Sequence, residues 1–178
     1  MEIRTERLLL RPITMADLMT THAYVSDAEN THFMMNLPCE SLEETAQEIA
    51  YSVAQWQAEE PERLELAILH DGRHIGAMTF FFQEDRSSAE LGWVLHKEHW
   101  GKGFATEAAQ ALISYARQHW GLTHLFACCD SENKVSAHLM EKLGMHFACS
   151  ANGRRNRGME GDRIELTYEV SFGREGQT

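Results

Sequence analysis

The chain has 178 residues, of which 43% are hydrophobic, and its 16 basic and 27 acidic side chains give a formal net charge of −11. A chain of this length predicts one domain, residues 1–178, with a sizeable core. The acidic balance and the lack of a basic stripe exclude a general nucleic-acid binder, and the lack of a long apolar run argues against a membrane span.

The first half of the chain alternates between strand and helix patterns. Thr14-x-x-Asp17 and Ser41-x-x-Glu44 have capping-box spacing, and each opens a helical pattern, the first of which reaches Ser26. The pair Asp71-Gly72 separates two apolar runs and predicts a β-hairpin. The predicted strands of this half are 8–13, 64–69, 75–82 and 88–95.

A glycine-containing turn, HWGKGFATEAA at 99–109, joins the strand at 88–95 to a helical pattern over 104–119. Bare backbone at a helix entrance lets N–H groups and the helix dipole face an anion. The P-loop pattern is absent, and Thr106 stands where a dinucleotide fingerprint needs a third glycine or alanine. The glycines therefore predict either a different phosphate-binding turn or a turn that they merely tighten.

The remaining pattern completes a mixed α/β sheet. A strand is predicted over 122–129 and a helix over 134–143, which Gly144 ends. Two further strands are predicted near 145–150 and over 163–171. The N-terminal segment is charged from its second residue, unlike a secretory signal, and the four cysteines have neither zinc-site nor disulfide spacing. We therefore expect a reduced, cytoplasmic protein without a metal.

Three segments together resemble the GNAT acetyltransferase superfamily, and most closely its Rim-type branch, which acetylates the N-termini of ribosomal proteins. They are TERLLLRPI, AELGWVLHKEHWGKGFATEA and SENKVSAHLMEKLGM. The resemblance implies a single-domain GNAT fold, with a mixed, mostly antiparallel sheet of six to seven strands and about four flanking helices. Trp100 stands where the superfamily usually has Gln or Arg, and Met140 stands where many members have tyrosine.

The resemblance also implies an acetyl-CoA-dependent N-acetyltransferase that works by direct attack in a ternary complex. The leading acceptor is a protein N-terminal α-amine, and the alternatives are a polyamine or another small amine. A CoA-binding module without catalysis is the other alternative. Monomer and dimer both stay open, and no membrane or nucleic-acid partner is expected.

By resemblance, three groups of residues would contact acetyl-CoA. The turn at 99–109 would hold the pyrophosphate, and backbone groups of the preceding strand would polarise the thioester carbonyl. Asn133 would bond the pantetheine arm or the acceptor, and Ser136 would stabilise or protonate the leaving thiolate; both residues could instead simply begin a helix. The cofactor-binding set is Trp93, Val94, Leu95, Gly101, Lys102, Gly103, Phe104, Ala105, Thr106 and Asn133.

Glu90 is the candidate general base, directly or through water, because a carboxylate is unusual in a mostly apolar strand. A structural ion pair is the competing interpretation. Candidate acceptor-contacting residues are Phe33, Met34 and Arg154, the last as a clamp for a carboxylate or a phosphate; core packing and a solvated loop are the alternatives. The adjacent Cys128 and Cys129 raise a covalent acetyl-cysteine route, but at most one of the two can face a cleft.

Overall fold

The computed structural model describes residues 1–36 and 38–173. Eight strands form one sheet: β1 (Ile3–Arg4), β2 (Leu8–Pro12), β3 (Arg63–His70), β4 (Arg73–Phe82), β5 (Ser88–Leu95), β6 (His124–Asp130), β7 (His146–Arg154) and β8 (Arg163–Ser171). Four α-helices flank it: α1 (Leu18–Val25), α2 (Leu42–Gln55), α3 (Phe104–Trp120) and α4 (Lys134–Lys142). No helix in the described ranges is long and apolar enough to cross a membrane.

The strands follow the order β1-β2-β3-β4-β5-β6-β8-β7, and every neighbouring pair is antiparallel except β5 and β6. These two are parallel because α3 carries the chain back to the end of the sheet at which β5 begins, so that β6 starts from the same end. Their pairing runs only from Ser88–His124 to Glu90–Phe126. β5 continues to Leu95 with no strand partner on that side among the described residues, so the sheet forks after Glu90.

Helices cover the two faces of the sheet differently. Leu91 of β5 and Leu125 of β6 pack with Leu112 of α3 in the larger core cluster. On the opposite face, α1 and α2 cover the sheet through two smaller clusters. Val94 packs in one of these, and Glu90 shares its face because side chains alternate along a strand. Glu90 therefore points away from α3.

The predicted fold class is confirmed, with eight strands instead of six to seven. The short β1 was not predicted, since two residues carry no periodic pattern. Its Ile3 pairs with Leu10 of β2. β7 runs to Arg154, beyond the predicted strand near 145–150. The first helix begins as a 3-10 turn, Met15–Asp17, in which the Asp17 carboxylate accepts the Thr14 N–H at 2.9 Å.

A buried polar cluster at the end of β6 ties the last strands to the start of α4. Asp130 is fully buried, and its carboxylate accepts from the Glu132 N–H at 2.9 Å, from Asn156 Nδ2 at 2.6 Å and from the Arg163 guanidinium. Burial alone raises the pKa of Asp130, but these hydrogen bonds outweigh burial and hold the pKa below its ordinary value of 3.8. The charged form is therefore the one that the fold stabilises.

We expect Asp130→Ala to lower the free energy of unfolding by about 3 kcal/mol at pH 7, because it removes a buried charged acceptor from Asn156 and from the Glu132 N–H and leaves Arg163 with only the exposed Glu132. The folded pKa of Asp130 is depressed, so its contribution is present above the unfolded value and is lost as pH falls through the folded one. Urea unfolding at pH 7 and pH 3 should show the gap between variant and wild type narrowing in acid. Asp162→Ala, which removes an exposed partner of Arg155, is the control.

Candidate active site

Two helix N-termini meet at one edge of the sheet. α3 follows the carboxyl end of β5, and α4 follows the carboxyl end of β6. Since β5 and β6 are parallel neighbours, both helix entrances lie beyond the same edge, above the fork. In open α/β sheets a crevice outside the carboxyl ends of parallel strands is the usual place for a ligand. The predicted cofactor-binding residues all fall at this edge.

The turn before α3 presents backbone to solvent. Gly101 (φ 72°) and Gly103 (φ 81°) have left-handed conformations that favour glycine, and both are exposed, as is Lys102. Gly103 is the N-cap and supplies no side-chain cap for the first turn of α3. Phe104 is buried, whereas Ala105 and Thr106 are half-buried. An uncapped helix start with a positive dipole end fits a pyrophosphate.

The end of β5 is held by side chains from elsewhere in the chain. The carbonyl of Leu95 accepts from Asn30 Nδ2 at 2.8 Å and from the Trp100 indole at 2.9 Å. Trp100 therefore braces the strand just before the glycine turn. Trp93, Val94 and Leu95 lie beyond the fork, where backbone groups facing β6 have no strand partner in the described part of the chain.

Asn133 and Ser136 lie together at the start of α4. Asn133 is the N-cap, and its Oδ1 accepts the Ser136 N–H at 3.1 Å. This bond caps the helix, and it leaves Asn133 Nδ2 and the Ser136 hydroxyl without a bond to the described residues. Ser136 is half-buried at the same edge as the glycine turn. Met140, in the position of the usual tyrosine, is fully buried.

Glu90 lies at the last paired row of the fork. It is half-buried, and its carboxylate makes no hydrogen bond or ion pair with the described residues. Burial and the charge of Glu165 raise the pKa of Glu90 above its ordinary value of 4.5, while the charge of Arg154 lowers it. Glu165 accepts from Arg154 Nη1 at 2.5 Å. Two carboxylates against one guanidinium leave one negative charge unbalanced, which suits a cationic ligand.

Arg154 is buried rather than free in a loop. Its Nε donates to Asn156 Oδ1 at 2.9 Å and its Nη2 to the Phe33 carbonyl at 2.9 Å, in addition to the Glu165 bond. These bonds use three of the five N–H donors of a guanidinium, and the side chain is only 6% exposed, so a direct clamp on a substrate would have few donors within reach. The alternative of a solvated loop is wrong for this residue, because β7 extends to it and three internal acceptors surround it.

The predicted acceptor-contacting segment is held against the loop between β7 and β8. Phe33 and Met34 are both half-buried. The Phe33 carbonyl accepts from Arg154, and the Met34 carbonyl accepts the Arg157 N–H at 3.1 Å. These contacts bring residues from the two ends of the chain to the side of the sheet that Glu90 faces.

Cys128 lies on the same face as Glu90, and Cys129 points into the core. Burial is the largest cause that raises the pKa of Cys128, to about 11. Its thiol therefore stays protonated near neutral pH and is a poor nucleophile. This environment argues against the covalent acetyl-cysteine route. No group of three or more His, Cys, Asp or Glu side chains within residues 1–36 and 38–173 could hold a metal ion.

Sequence reasoning missed one residue, Arg7, that contacts the glycine turn. Arg7 Nη1 donates to the Lys102 carbonyl at 3.0 Å, and Arg7 Nε donates to Glu107 Oε2 at 2.7 Å. Arg7 comes from the segment between β1 and β2, far from the turn in sequence. The motif TERLLLRPI contains Arg7, but nothing in its spacing points to α3.

Comparisons with known proteins agree with this architecture. A family model described as an acetyltransferase (GNAT) domain matches residues 7–146. The chain is 29% identical over 145 residues to an uncharacterized N-acetyltransferase of Bacillus subtilis, YnaD, covering 82% of each chain. It is 26% identical to a GNAT-family acetyltransferase structure from Bacillus anthracis, with a TM-score of 0.82 and coverage of 96% and 98%.

A third comparison concerns fold alone. RimL, a ribosomal α-N-protein acetyltransferase solved in complex with coenzyme A, is 16% identical and superposes with a TM-score of 0.83, covering 96% of this chain and 98% of that one. The forked parallel pair, the glycine turn and the family match over most of the chain together identify the protein as a member of the GNAT acetyltransferase family.

Proposed function

We propose that residues 1–178 form one N-acetyltransferase domain that uses acetyl-CoA and transfers the acetyl group to a primary amine. One observation carries the proposal: β5 and β6 separate directly after Glu90, between an uncapped helix start and Ser136. This arrangement supports a site in which a turn that fits an anion, a carboxylate and a hydroxyl would lie around one crevice. Acetyl-CoA would supply the activated acetyl thioester there.

The residues of the crevice divide the chemistry among them. Backbone N–H groups over 101–106 would bind the pyrophosphate, and backbone groups over 93–95 would polarise the thioester carbonyl. Glu90 would take the proton from the acceptor amine, directly or through water, since its raised pKa makes it a stronger base than an ordinary glutamate. Ser136 would donate to the departing thiolate. Direct attack needs no covalent protein intermediate.

The acceptor enters this site as a cation. Near pH 7 an α-amine is neutral in roughly 10–20% of molecules, whereas a lysine-like amine is neutral in about one of 2,500. The unbalanced negative charge of Glu90, Glu165 and Arg154 favours an ammonium group from either class. We propose a protein N-terminal α-amine first, from the resemblance to the Rim-type branch, and a polyamine or other small amine second.

The test is release of free thiol from acetyl-CoA over a panel of amines that includes N-terminal peptides, polyamines and amino sugars. We expect release that depends on one class of amine. CoA binding without release for any amine, measured at several pH values, would instead support the CoA-binding module.

We expect Ser136→Ala to lower kcat about tenfold while changing the dissociation constant of CoA less than about twofold, because the hydroxyl matters as the thiolate forms and a water molecule replaces part of its role. Single-turnover rates and calorimetry measure the two effects. Ser114→Ala, on the exposed side of α3, is the matched control. An unchanged single-turnover rate would leave Ser136 with its helix-start role alone.

A further inference from the structure

Arg7, in the segment between β1 and β2, contacts the glycine turn. Arg7 donates to the Lys102 carbonyl at 3.0 Å, its guanidinium carbon lies 4.7 Å from the centre of the Phe104 ring, and a Cβ added to Gly103 would lie 3.5 Å from its Nη2. Lys102 and Phe104 thus contact one side chain, which also lies close to Gly103 between them. Arg7 is 41% exposed at its side chain, so the guanidinium lies beside the turn at the surface.

Glu107 is the residue that pairs with Arg7 at this turn. It lies in the first turn of α3, where the helix dipole is positive and where the proposed ligand is an anion. Its carboxylate accepts from Thr5 Oγ1 at 2.5 Å, from the Arg7 N–H at 3.0 Å and from Arg7 Nε at 2.7 Å. Burial raises the pKa of Glu107, but these bonds and the charge of Arg7 outweigh burial and hold the pKa below its ordinary value.

An ionised carboxylate beside an anion site has an electrostatic cost. Left alone, Glu107 would compete with a pyrophosphate for the dipole of α3 and would repel it. Arg7 cancels that charge at 2.6 Å and at the same time holds the Lys102 carbonyl, so the turn keeps its shape. One side chain therefore serves both the geometry and the charge of the turn.

We propose that Arg7 is a positioning residue for coenzyme A, which neutralises Glu107 and fixes the turn at Lys102–Phe104 so that the start of α3 accepts the pyrophosphate. This inference rests on the proposed function, because it takes the turn to be the CoA site. It assigns a role to a residue remote from the turn in sequence, and it makes the Arg7–Glu107 pair a determinant of CoA affinity.

The two halves of the pair should change CoA affinity in opposite directions. Arg7→Gln leaves Glu107 unbalanced, and we expect the dissociation constant of CoA to rise about fivefold. Glu107→Gln leaves Arg7 as an unpaired cation beside the turn, and we expect the constant to fall about twofold. The double variant Arg7→Gln/Glu107→Gln should lie closer to wild type than Arg7→Gln does. Arg4→Gln, which removes an exposed charge paired with Glu2, is the control.

Calorimetry with CoA and with 3′-dephospho-CoA, in low and high salt, distinguishes three roles for Arg7: positioning of the turn, direct binding of the 3′-phosphate, and a structural brace. The proposal expects Arg7→Gln to lose the same factor for both ligands, and expects the loss to shrink in high salt. A loss confined to CoA would assign Arg7 to the 3′-phosphate and overturn the positioning role. Equal losses for both single variants would mean a structural brace only, which also overturns it.

The double variant keeps the test open if Glu107→Gln is poorly folded, because recovery of affinity in the double variant requires charge compensation. Wild-type protein that binds no CoA would overturn the proposed function instead. That outcome is distinct, since it does not depend on any variant.

Discussion

Replacing Gly103 by valine should raise the dissociation constant of CoA about 100-fold. Gly103 is the N-cap of α3 with φ 81°, a conformation that a β-branched residue strongly disfavours. The turn would have to rearrange, and the backbone N–H groups over 101–106 would no longer point at the pyrophosphate. Loss of one or two charge-assisted hydrogen bonds to phosphate costs about 1.5–3 kcal/mol each, which corresponds to roughly ten- to 100-fold or more in affinity.

Gly121→Val is the matched control for this prediction. Gly121 is the C-cap of the same helix with φ 68°, and an added Cβ there meets no atom within 4 Å. Both variants carry similar backbone strain, so both should lower the melting temperature, but only the variant at Gly103 should lose CoA in calorimetry. If Gly103→Val does not fold, Gly103→Ala takes its place. Equal CoA affinity in the folded variants at both positions would contradict a phosphate site at 101–106.

Much of the fold follows from local sequence signals. Asp71-Gly72 forms the predicted hairpin turn between β3 and β4, with Asp71 at φ 49°. Ser41 caps α2 by accepting the Glu44 N–H at 3.1 Å, although the reciprocal bond comes from the Glu40 N–H rather than from Ser41. Such signals are predictable because each involves residues within four positions of one another.

The contacts that build the site are not local, and the sequence alone could not supply them. Arg154 looks like a loop residue because its partners, Phe33 and Glu165, come from another loop and another strand. Arg7 and Glu107 pair across the fold for the same reason. Glu90 could be selected as a carboxylate in an apolar strand, but its position at the fork depends on where β5 leaves β6.

Glu90→Gln should reduce the rate of acetyl transfer at pH 7 about five- to tenfold for an α-amine and by about 100-fold or more for a lysine-like amine, because only the fraction of acceptor that is already neutral still reacts. The variant keeps the shape of the side chain and removes its basicity. Wild-type activity should fall in acid as Glu90 becomes protonated, at a pH above the ordinary glutamate value of 4.5, because the pKa of Glu90 is raised. Above that range the wild-type rate should vary little until the acceptor amine itself loses its proton.

The variant should respond to pH differently from wild type. Without the base, only acceptor that is already neutral reacts, so the rate should rise about tenfold per pH unit below the acceptor pKa and approach wild type above it. Single-turnover rates from pH 6 to 10 measure this, with Glu169→Gln, an exposed carboxylate partnered by His124, as control. A structural carboxylate would instead give a lower melting temperature and the same loss at every pH. A wild-type rate at pH 7 would exclude Glu90 as the base and leave direct attack by the neutral amine, which an α-amine can sustain far better than a lysine.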